Sequence, residues 1–449
     1  MNKTGILFFP AFDWAISSTH PEREERLLYT RDQLFEEGIM DFPQIIEYQP
    51  RMATFKDIAR VHFCVPDIPA QITEAHLVSA GGALVIADAR MNGEIHNGFA
   101  IIRPPGHHAM TVSHGNRGFC NINNEAIMIE YLRQKYGVKR IAIVDTDVHH
   151  GDGSQEIYYH DPDVLFISFH QDGHTLYPGT GFTDELGGPL AWGTTINVPL
   201  APRTTDTGII YVLENLVLPL LEQFKPDLII NSAGQDNHYT DPLADMCFSA
   251  QGYATLNQKL APDIAVLEGG YSVETALPYI NMGIIMAMAG IDFSNLSEPD
   301  YRAGKFKESP RNMEYIKKLV ATQLANFSRR EEVVAQNRAK NEPYQSYYKS
   351  IYYDTDSINE EQHNKLRICQ HCGGYRLIDS TAHLRNGKVQ RVFCISVPAG
   401  ACSDCQSEAQ TIYREMIAKS SSFDVIYWQD RAGDNYRSLN TELETETVL

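Results

Sequence analysis

The sequence contains no long apolar segment. Residues 1–10 include only a short apolar stretch, which Pro10 and then Asp13 interrupt. We therefore expect neither a signal peptide nor a membrane-spanning helix, and we interpret the stretch as a first β-strand.

Basic residues are also scarce. The chain has 38 Lys and Arg against 57 Asp and Glu, a formal net charge of −19. This excess of negative charge disfavours nucleic-acid binding by the main domain and suits neutral or cationic substrates. An acidic surface that only confers solubility explains the charge equally well.

Cysteine is infrequent and unevenly placed. Five of the eight cysteines lie between Cys369 and Cys405. This clustering favours a metal site over a disulfide framework and predicts a reducing, cytoplasmic location. With 449 residues, 43% of them hydrophobic, the chain is long enough for one large globular domain and a smaller one.

Apolar runs of strand length recur in the first part of the chain, and each leads into polar or glycine-rich residues. Segments with helical spacing of apolar residues, such as 125–136 and 209–224, separate them. This alternation predicts an α/β fold with a mostly parallel sheet, whose sites lie beyond the carboxyl ends of the strands. The runs are Phe99–Ile102 before Arg103 to His108, Ile141–Val144 before Asp145, Val164–Phe169 before His170, Leu228–Ile230 before Ser232 to Asp236, and Ile264–Leu267 before Glu268 to Tyr271.

The segment Asp145 to Gly153 carries the strongest chemical signal. In an extended chain Asp145, Asp147 and His149 would share one face. Such groups converge only if a cation or a proton relay offsets their loss of hydration. Asp147 and His149, with Asp236 as the candidate third ligand, would match the three-ligand pattern of catalytic zinc, which lowers the pKa of bound water to about 7.

Other residues at these strand ends would complete a hydrolytic site. His107 and His108 would move protons to and from the water, with Asp145 and Asp152 left to orient them. Tyr271 follows two glycines, and its hydroxyl would stabilise an oxyanion. Each feature alone is common for structural reasons, so the prediction depends on their combination.

In their order along the chain, these motifs resemble those of the histone deacetylase family, which includes bacterial amidohydrolases acting on acetylated amines. The resemblance covers about residues 1–290, and the Glu-Gly-Gly-Tyr form is similar to the class II and bacterial members. The matching motifs are His20-Pro21-Glu22 with Arg26; Arg103-Pro104-Pro105-Gly106-His107-His108-Ala109; Gly118-Phe119-Cys120 with Asn123-Asn124; Asp145 to Gly153; Tyr177-Pro178-Gly179-Thr180-Gly181; Asn197-Val198-Pro199-Leu200; Ser232-Ala233-Gly234-Gln235-Asp236 with His238 and Asp241-Pro242-Leu243; and Glu268-Gly269-Gly270-Tyr271.

The resemblance implies an arginase-like α/β fold with an eight-stranded, mostly parallel sheet flanked by helices. It implies a catalytic zinc ion held by Asp147, His149 and Asp236. It also implies a potassium ion near Asp145, Asp147 and Ser168.

The resemblance further assigns the acid–base groups. By this match His107 pairs with Asp145, and His108 pairs with Asp152. His108 would be the general base and acid, His107 would give electrostatic support, and Tyr271 would bind the scissile carbonyl.

The same match predicts a narrow channel for an acyl-amine chain, lined by Gly118, Phe119, Tyr177 and Leu243. Leu243 stands where polyamine-specific members place a glutamate. An apolar residue there favours acetyl-lysine, because a buried cation would lack a partner. The sequence departs from the family at Gln235, where an apolar residue is common, and in the entrance loop 63–75, which is short.

The composition changes after residue 292. Ser309-Pro310 predicts the start of a long polar helix that ends near Lys340. The polar, Tyr-rich segment 341–364 is interpreted as a linker, and the acidic end of the chain as a frayed tail. The predicted division is a deacetylase catalytic domain (1–292), a helical extension and linker (293–365), a zinc-ribbon-like module (366–410) and a C-terminal tail (411–449).

Two C-x-x-C pairs predict a closed, structural zinc site. Gly373-Gly374 would permit the tight turn after the first pair. A redox or free-thiol cluster is the alternative, and Cys394 is left over in either case. The four predicted thiolate ligands are Cys369, Cys372, Cys402 and Cys405.

The leading functional hypothesis is a zinc-dependent amidohydrolase that deacetylates N-acetyl-lysine in proteins or peptides. A deacetylase of acetylated polyamines or other small acetylated amines is the alternative. Two other classes stay open: a non-catalytic binder with this fold, and a cysteine module that binds nucleic acid or a protein partner. The sequence leaves the oligomeric state open.

Overall fold

The computed structural model describes residues 3–299, 301–302, 304–340, 342–419 and 422–449. Residues 1–2 of the predicted first strand and Asn341, the first residue of the predicted linker, lie outside the described residues. Within the described ranges, no helix has both the length and the apolar character needed to cross a membrane.

A single parallel sheet organises the first 290 residues or so. Its eight strands run in the order β2-β1-β4-β10-β9-β6-β7-β8, and every neighbouring pair is parallel. This confirms the predicted eight-stranded sheet; β3 and β5 pair separately. The strands are β1 (Thr4–Phe9), β2 (Ile45–Tyr48), β3 (Phe63–Cys64), β4 (Asn97–Ile102), β5 (Val112–Ser113), β6 (Ile141–Asp145), β7 (Val164–Gln171), β8 (Thr195–Leu200), β9 (Leu228–Ala233) and β10 (Ile264–Leu267).

Each face of the sheet contributes to a separate hydrophobic core. Along β6, Val144 faces one core while Ile143 faces the other, because successive side chains of a strand point to opposite faces. Both faces are covered by helices, so the strands are apolar on both sides. This explains why they appear in the sequence as continuous apolar runs.

Helices connect the strands, and several begin where the sequence predicted. Asn123 accepts a hydrogen bond from the backbone N–H of Ala126 at the start of α5, and Ser309 does the same for Asn312 at the start of α11. The helices are α1 (Thr30–Glu36), α2 (Phe55–Ala59), α3 (Ile68–Gln71), α4 (Glu74–Met91), α5 (Asn124–Tyr136), α6 (Asp152–Tyr158), α7 (Asp206–Val212), α8 (Leu218–Phe224), α9 (Ala250–Leu260), α10 (Leu277–Ala289), α11 (Pro310–Ser328), α12 (Arg330–Ala339) and α13 (Ser403–Ala418).

The C-terminal part forms a second, seven-stranded sheet. Neighbouring strands are antiparallel except β14 and β15, which α13 connects as a parallel pair. The strands, in chain order and also in spatial order, are β11 (Tyr344–Tyr353), β12 (Ile358–Arg367), β13 (Arg376–His383), β14 (Val389–Val397), β15 (Val425–Asp430), β16 (Asn435–Asn440) and β17 (Thr445–Val448).

The prediction that 341–364 is a linker and 411–449 a frayed tail is therefore wrong, because both segments contain regular secondary structure. The described part of 341–364 forms β11 and most of β12, and 411–449 contains the end of α13 and three strands. These strands look polar in the sequence because one face, or an edge, is exposed: every residue of β17 is exposed. The division of the chain near residue 292 remains a proposal.

The second sheet packs directly on the first domain. One face carries α13, and the other buries Ile378, Val392 and Tyr427 against Phe63 and Val112. The two domains thus share a hydrophobic core.

An ion pair crosses this interface. Arg376 of β13 lies 2.6 Å from Glu156 of α6, both are buried, and Arg376 also donates to Thr111 Oγ1 at 2.8 Å. We predict that Arg376→Ala lowers the free energy of unfolding by roughly 2 to 3 kcal/mol, because Glu156 stays buried without its main cation. Urea unfolding measures this change.

The exposed Arg385 provides the matched control. Arg385→Ala should change the unfolding free energy by less than about 0.5 kcal/mol. Equal effects of the two substitutions would contradict the role of the interdomain pair.

Candidate active site and metal centres

Three of the predicted metal ligands meet beyond the carboxyl ends of β6 and β9. Asp147 and His149 follow β6, and Asp236 follows the adjacent β9. Their ligand atoms lie within 4.8 Å of one another, and His149 Nδ1 is 3.1 Å from both Asp147 Oδ1 and Asp236 Oδ2. All three residues are buried.

The chemistry of this cluster fits a divalent cation. Burial and the neighbouring Asp147 raise the pKa of Asp236. Although burial opposes protonation of His149, Asp147 and Asp236 together raise the pKa of His149 to about 10. Two buried carboxylates and an imidazole thus meet where a positive charge would offset their burial, and two oxygens with one nitrogen suit zinc.

Two glycines give the carboxylates the room they need. A Cβ atom at Gly234 would lie 2.1 Å from Asp147 Oδ2, and one at Gly269 would lie 2.2 Å from Asp236 Oδ2. Any side chain at either position would displace a carboxylate. The glycines therefore shape the cluster directly.

Both predicted His–Asp pairs form next to this cluster. His107 Nδ1 is 3.2 Å from Asp145 Oδ2, and His108 Nδ1 is 2.8 Å from Asp152 Oδ1. Burial, with the charge of His107, lowers the pKa of His108 to about 3 in spite of Asp152. His108 is therefore neutral at pH 7. With Nδ1–H donated to Asp152, its Nε2 carries the lone pair.

Arg117 joins this site, although the sequence analysis did not identify it. Its Nη1 lies 2.6 Å from Asp152 Oδ2, and its guanidinium lies 5.5 Å from the centre of the Tyr177 ring. Burial would raise the pKa of Asp152, but Arg117 and His108 hold it far below its usual range. Nothing in the local sequence distinguishes Arg117 from a surface arginine.

The Glu268-to-Tyr271 turn connects several parts of the site. Gly270 has φ of 124°, which favours glycine, and the N–H of Tyr271 donates to Asp241 Oδ2 at 2.7 Å. Glu268 accepts hydrogen bonds from the backbone N–H groups of Gly106 and His107 at 2.7 and 3.1 Å. The turn after β10 is thus tied to the loop after β4.

A buried arginine, Arg26, binds the backbone of the turn that carries Tyr271. Arg26 donates to the carbonyl of Gly270 at 2.7 Å and to that of Glu268, and it pairs with Glu22 at 2.7 Å. Its guanidinium lies 5.0 Å from the centre of the Tyr271 ring. Glu22 and Arg26 belong to the first family motif, and the sequence indicates no role for them.

Three of the four predicted channel residues lie around His108 and Tyr271. The ring of Phe119 is 5.6 Å from that of Tyr271, and the ring of Tyr177 is 5.2 Å from that of His108. A Cβ at Gly118 would lie 2.4 Å from the His108 ring, so only glycine fits there. The channel itself stays a prediction.

Leu243 is less directly connected to the channel. It is half-buried, and its N–H donates to Asp241 Oδ1 at 2.9 Å. Asp241 also accepts the hydrogen bond from the Tyr271 N–H. Leu243 thus lies two residues after the side chain that fixes the Glu268-to-Tyr271 turn. Its role as a channel residue stays a prediction.

The predicted potassium site lies between β6 and β7. Asp145 and Ser168 pair across these strands, and both are fully buried. The Ser168 hydroxyl lies 2.8 Å from His170 Nδ1. A potassium ion there stays a prediction.

The four clustered cysteines meet at the start of α13 and the turn between β12 and β13. The Sγ atoms of Cys369 and Cys402 are 3.8 Å apart, and those of Cys372 and Cys405 are 3.6 Å apart. Thiolates at about 2.3 Å from a tetrahedral zinc ion lie roughly 3.8 Å apart. The spacing therefore fits a zinc ion, and the zinc-ribbon-like cluster is confirmed.

Backbone groups around the cysteines favour thiolates. The N–H groups of His371 and Gly374 point to the Sγ atoms of Cys369 and Cys372 at 3.4 and 3.3 Å. Burial opposes ionisation of Cys369, but the backbone N–H groups lower its pKa to about 6. Gly374, with φ of 79°, makes the predicted tight turn. Cys394 lies apart, in the interdomain core.

The parallel sheet and the buried Asp, His, Asp cluster with its two His–Asp pairs define a protein of the α/β class with a candidate metal centre. The profile of the histone deacetylase domain matches residues 67–284. The chain belongs to the histone deacetylase family, and it is a hydrolase of the deacetylase type.

Individual relatives agree with this assignment. The chain is 45% identical over 325 residues to a probable deacetylase of Archaeoglobus fulgidus, which covers 66% of this chain and 89% of the relative. It is 38% identical over 207 residues to the mouse polyamine deacetylase HDAC10, covering 44% of this chain and 31% of that protein. The crystal structure of the HDA15 HD domain is similar with a TM-score of 0.63 at 27% identity, over 76% of this chain and 99% of that one.

The cysteine cluster can be tested through its metal. We predict that Cys405→Ser removes about one equivalent of zinc and lowers the melting temperature, because the ion would link the turn after β12 to the start of α13. Metal analysis by mass spectrometry and a thermal melt measure both effects. Cys394→Ala is the control, because Cys394 is buried outside the cluster and should leave the zinc content unchanged. Unchanged zinc in Cys405→Ser would disprove the assignment.

Proposed function

We propose that this protein is a zinc-dependent amidohydrolase that removes acetyl groups from N-acetyl-lysine in proteins or peptides. One observation carries the proposal: the Asp147, His149 and Asp236 cluster lies next to His108 and faces the Tyr271 turn. Membership of the deacetylase family supports the reaction type. The neutral state of His108 supports its role as a base.

The residues divide the chemistry among them. Asp147, His149 and Asp236 would hold the zinc ion, which when bound polarises the substrate carbonyl and makes water a better nucleophile. Asp152 holds the Nδ1–H of His108, so that Nε2 takes a proton from the attacking water and later gives it to the leaving amine.

The remaining groups stabilise the charge that develops in the reaction and position the substrate. The His107–Asp145 pair provides electrostatic support beside the water. The Tyr271 hydroxyl donates a hydrogen bond to the carbonyl oxygen as negative charge develops on it. Phe119 and Tyr177 hold the acyl-amine chain and exclude bulk water.

An acetylated polyamine or another small acetylated amine is the second candidate substrate. The mouse relative is named a polyamine deacetylase, but the apolar Leu243 favours acetyl-lysine, because it cannot pair with a buried cation. Steady-state kinetics on acetyl-lysine peptides and acetylpolyamines distinguish the two. Fast turnover of polyamines with inert peptides would refute the lysine assignment.

The additional ions and the cellular location also belong to the proposal. We infer a structural zinc ion at the four clustered cysteines and a potassium ion near Asp145 and Ser168. Eight free cysteines support a reducing, cytoplasmic location. The C-terminal domain remains a candidate binding site for a protein partner. Light scattering measures whether the protein forms oligomers.

The catalytic metal has a direct test. We predict that Asp236→Ala loses about one equivalent of zinc together with all measurable turnover, because one ligand and one charge disappear. The zinc at the cysteines should remain, so metal analysis should fall from two equivalents to one. Asp292→Asn, at an exposed site, is the control. Full zinc content in Asp236→Ala would contradict the assignment.

The oxyanion role predicts a different phenotype for Tyr271. Tyr271→Phe should keep its zinc and its melting temperature but lose about 100-fold or more in kcat, because only the hydrogen-bond donor is removed. Zinc analysis and steady-state kinetics on one preparation measure this. Turnover within about threefold of the wild type would exclude Tyr271 as the oxyanion donor.

A further inference from the structure

The C-terminal domain places a tight turn beside the predicted channel. This turn, residues 354–357, joins β11 to β12. Asp354 Oδ1 accepts a hydrogen bond from the backbone N–H of Gly118 at 2.9 Å and another from the Tyr177 hydroxyl at 3.2 Å. One carboxylate from the second domain thus binds two of the predicted channel residues at once.

The turn is firmly held in this position. Asp356 Oδ2 accepts from the backbone N–H of Asn116 at 2.6 Å, and the Tyr353 hydroxyl donates to the carbonyl of Val112 at 2.8 Å. Tyr353 is fully buried in a small cluster with Met110 and its neighbours in the second sheet. The carboxylate of Asp354 is therefore preorganised.

The charge of Asp354 has no cationic partner in the described part of the chain. Both hydrogen bonds fall on Oδ1, no ion pair involves the residue, and Asp354 is half-buried. The neighbouring His20 forms no ion pair with it, and burial lowers the pKa of His20 against the effects of Glu22 and Asp354. Arg117 is engaged by Asp152.

We propose that Asp354 is a specificity-determining residue of the channel mouth, where its carboxylate binds a positively charged nitrogen of the acyl-amine substrate. This inference rests on the proposed hydrolysis of acylated amines. Within it, a cation site favours small acetylated amines and acetyl-lysine with a free α-ammonium, because the α-nitrogen of a lysine inside a peptide chain is an uncharged amide. The acyl amide lies at the bottom of the channel near His108 and Tyr271, and the cation lies outside, beside Tyr177. A partly buried carboxylate binds a cationic group in preference to a neutral group of the same shape.

Two pairs of substrates test the proposal and identify the source of the cation. In each pair a cationic compound is matched with a neutral one: N-acetylputrescine with N-pentylacetamide, and the methyl ester of Nε-acetyl-lysine with methyl 6-acetamidohexanoate. The pair with the larger cation preference in the wild type shows whether a polyamine ammonium or a lysine α-ammonium is recognised.

Asp354→Asn keeps the shape and both hydrogen bonds but removes the charge. We expect kcat/KM for the cationic compound to fall about tenfold, mainly through KM, and that for the neutral compound to change less than about twofold. Asp356→Asn, on the same turn, is the matched control and should preserve the cation preference. Zinc content and melting temperature verify that all proteins are intact.

An equal loss on cationic and neutral substrates, or no loss on either, would overturn the proposal. Failure of the proposed function looks different, because the wild type would then hydrolyse no acyl amine. In that event a binding measurement still tests the role of Asp354. Calorimetry would compare two hydroxamic acids that differ only in a terminal ammonium or methyl group. Asp354→Asn should weaken only the ammonium compound about tenfold, and equal weakening or none would refute the role of Asp354.

Discussion

The structure depends on the convergence of buried carboxylates at one edge of the parallel sheet. Asp147 and Asp236 are fully buried and lie side by side, an arrangement that costs free energy unless a positive charge lies between them. Their strands β6 and β9 are neighbours, which fixes the separation of the two residues. The glycines at 234 and 269 are required because their missing side chains leave this space to the carboxylates.

Around this cluster, each group that would act on the substrate is positioned by a second buried side chain. Arg117 holds Asp152, which holds His108; Arg26 holds the turn that carries Tyr271. Each of Arg117, Asp152 and Arg26 is buried and paired with an oppositely charged or hydrogen-bonding side chain, so the reacting groups have little freedom to move. Such preorganisation is what a hydrolytic site requires, because the cost of orienting charges is met during folding rather than during the reaction.

The second domain is part of this arrangement rather than an appendage. It shares a hydrophobic core with the first domain, forms the buried pair between Arg376 and Glu156, and contacts the loop that carries Gly118. The stability of the C-terminal sheet is therefore coupled to the position of the loop that carries Gly118.

The sequence by itself determined the parallel α/β domain and its strand-end chemistry. Continuous apolar runs followed by Asp, His and Gly-rich turns specify buried strands, and the chain order of the motifs identifies the family. It also determined the cysteine cluster, since two C-x-x-C pairs have a characteristic spacing. These features are local, so they are visible without knowledge of distant contacts.

Only the tertiary structure decided what the C-terminal residues do. The segment around Tyr353 and Asp354 is polar and was interpreted as a linker, because an edge hairpin with one exposed face lacks a continuous apolar run. Arg117 and Asp354 act through partners 35 and 236 residues away in the chain. No local pattern encodes such pairs. The fold of the first domain brings Arg117 to Asp152, and the packing of the second domain on the first brings Asp354 to Gly118.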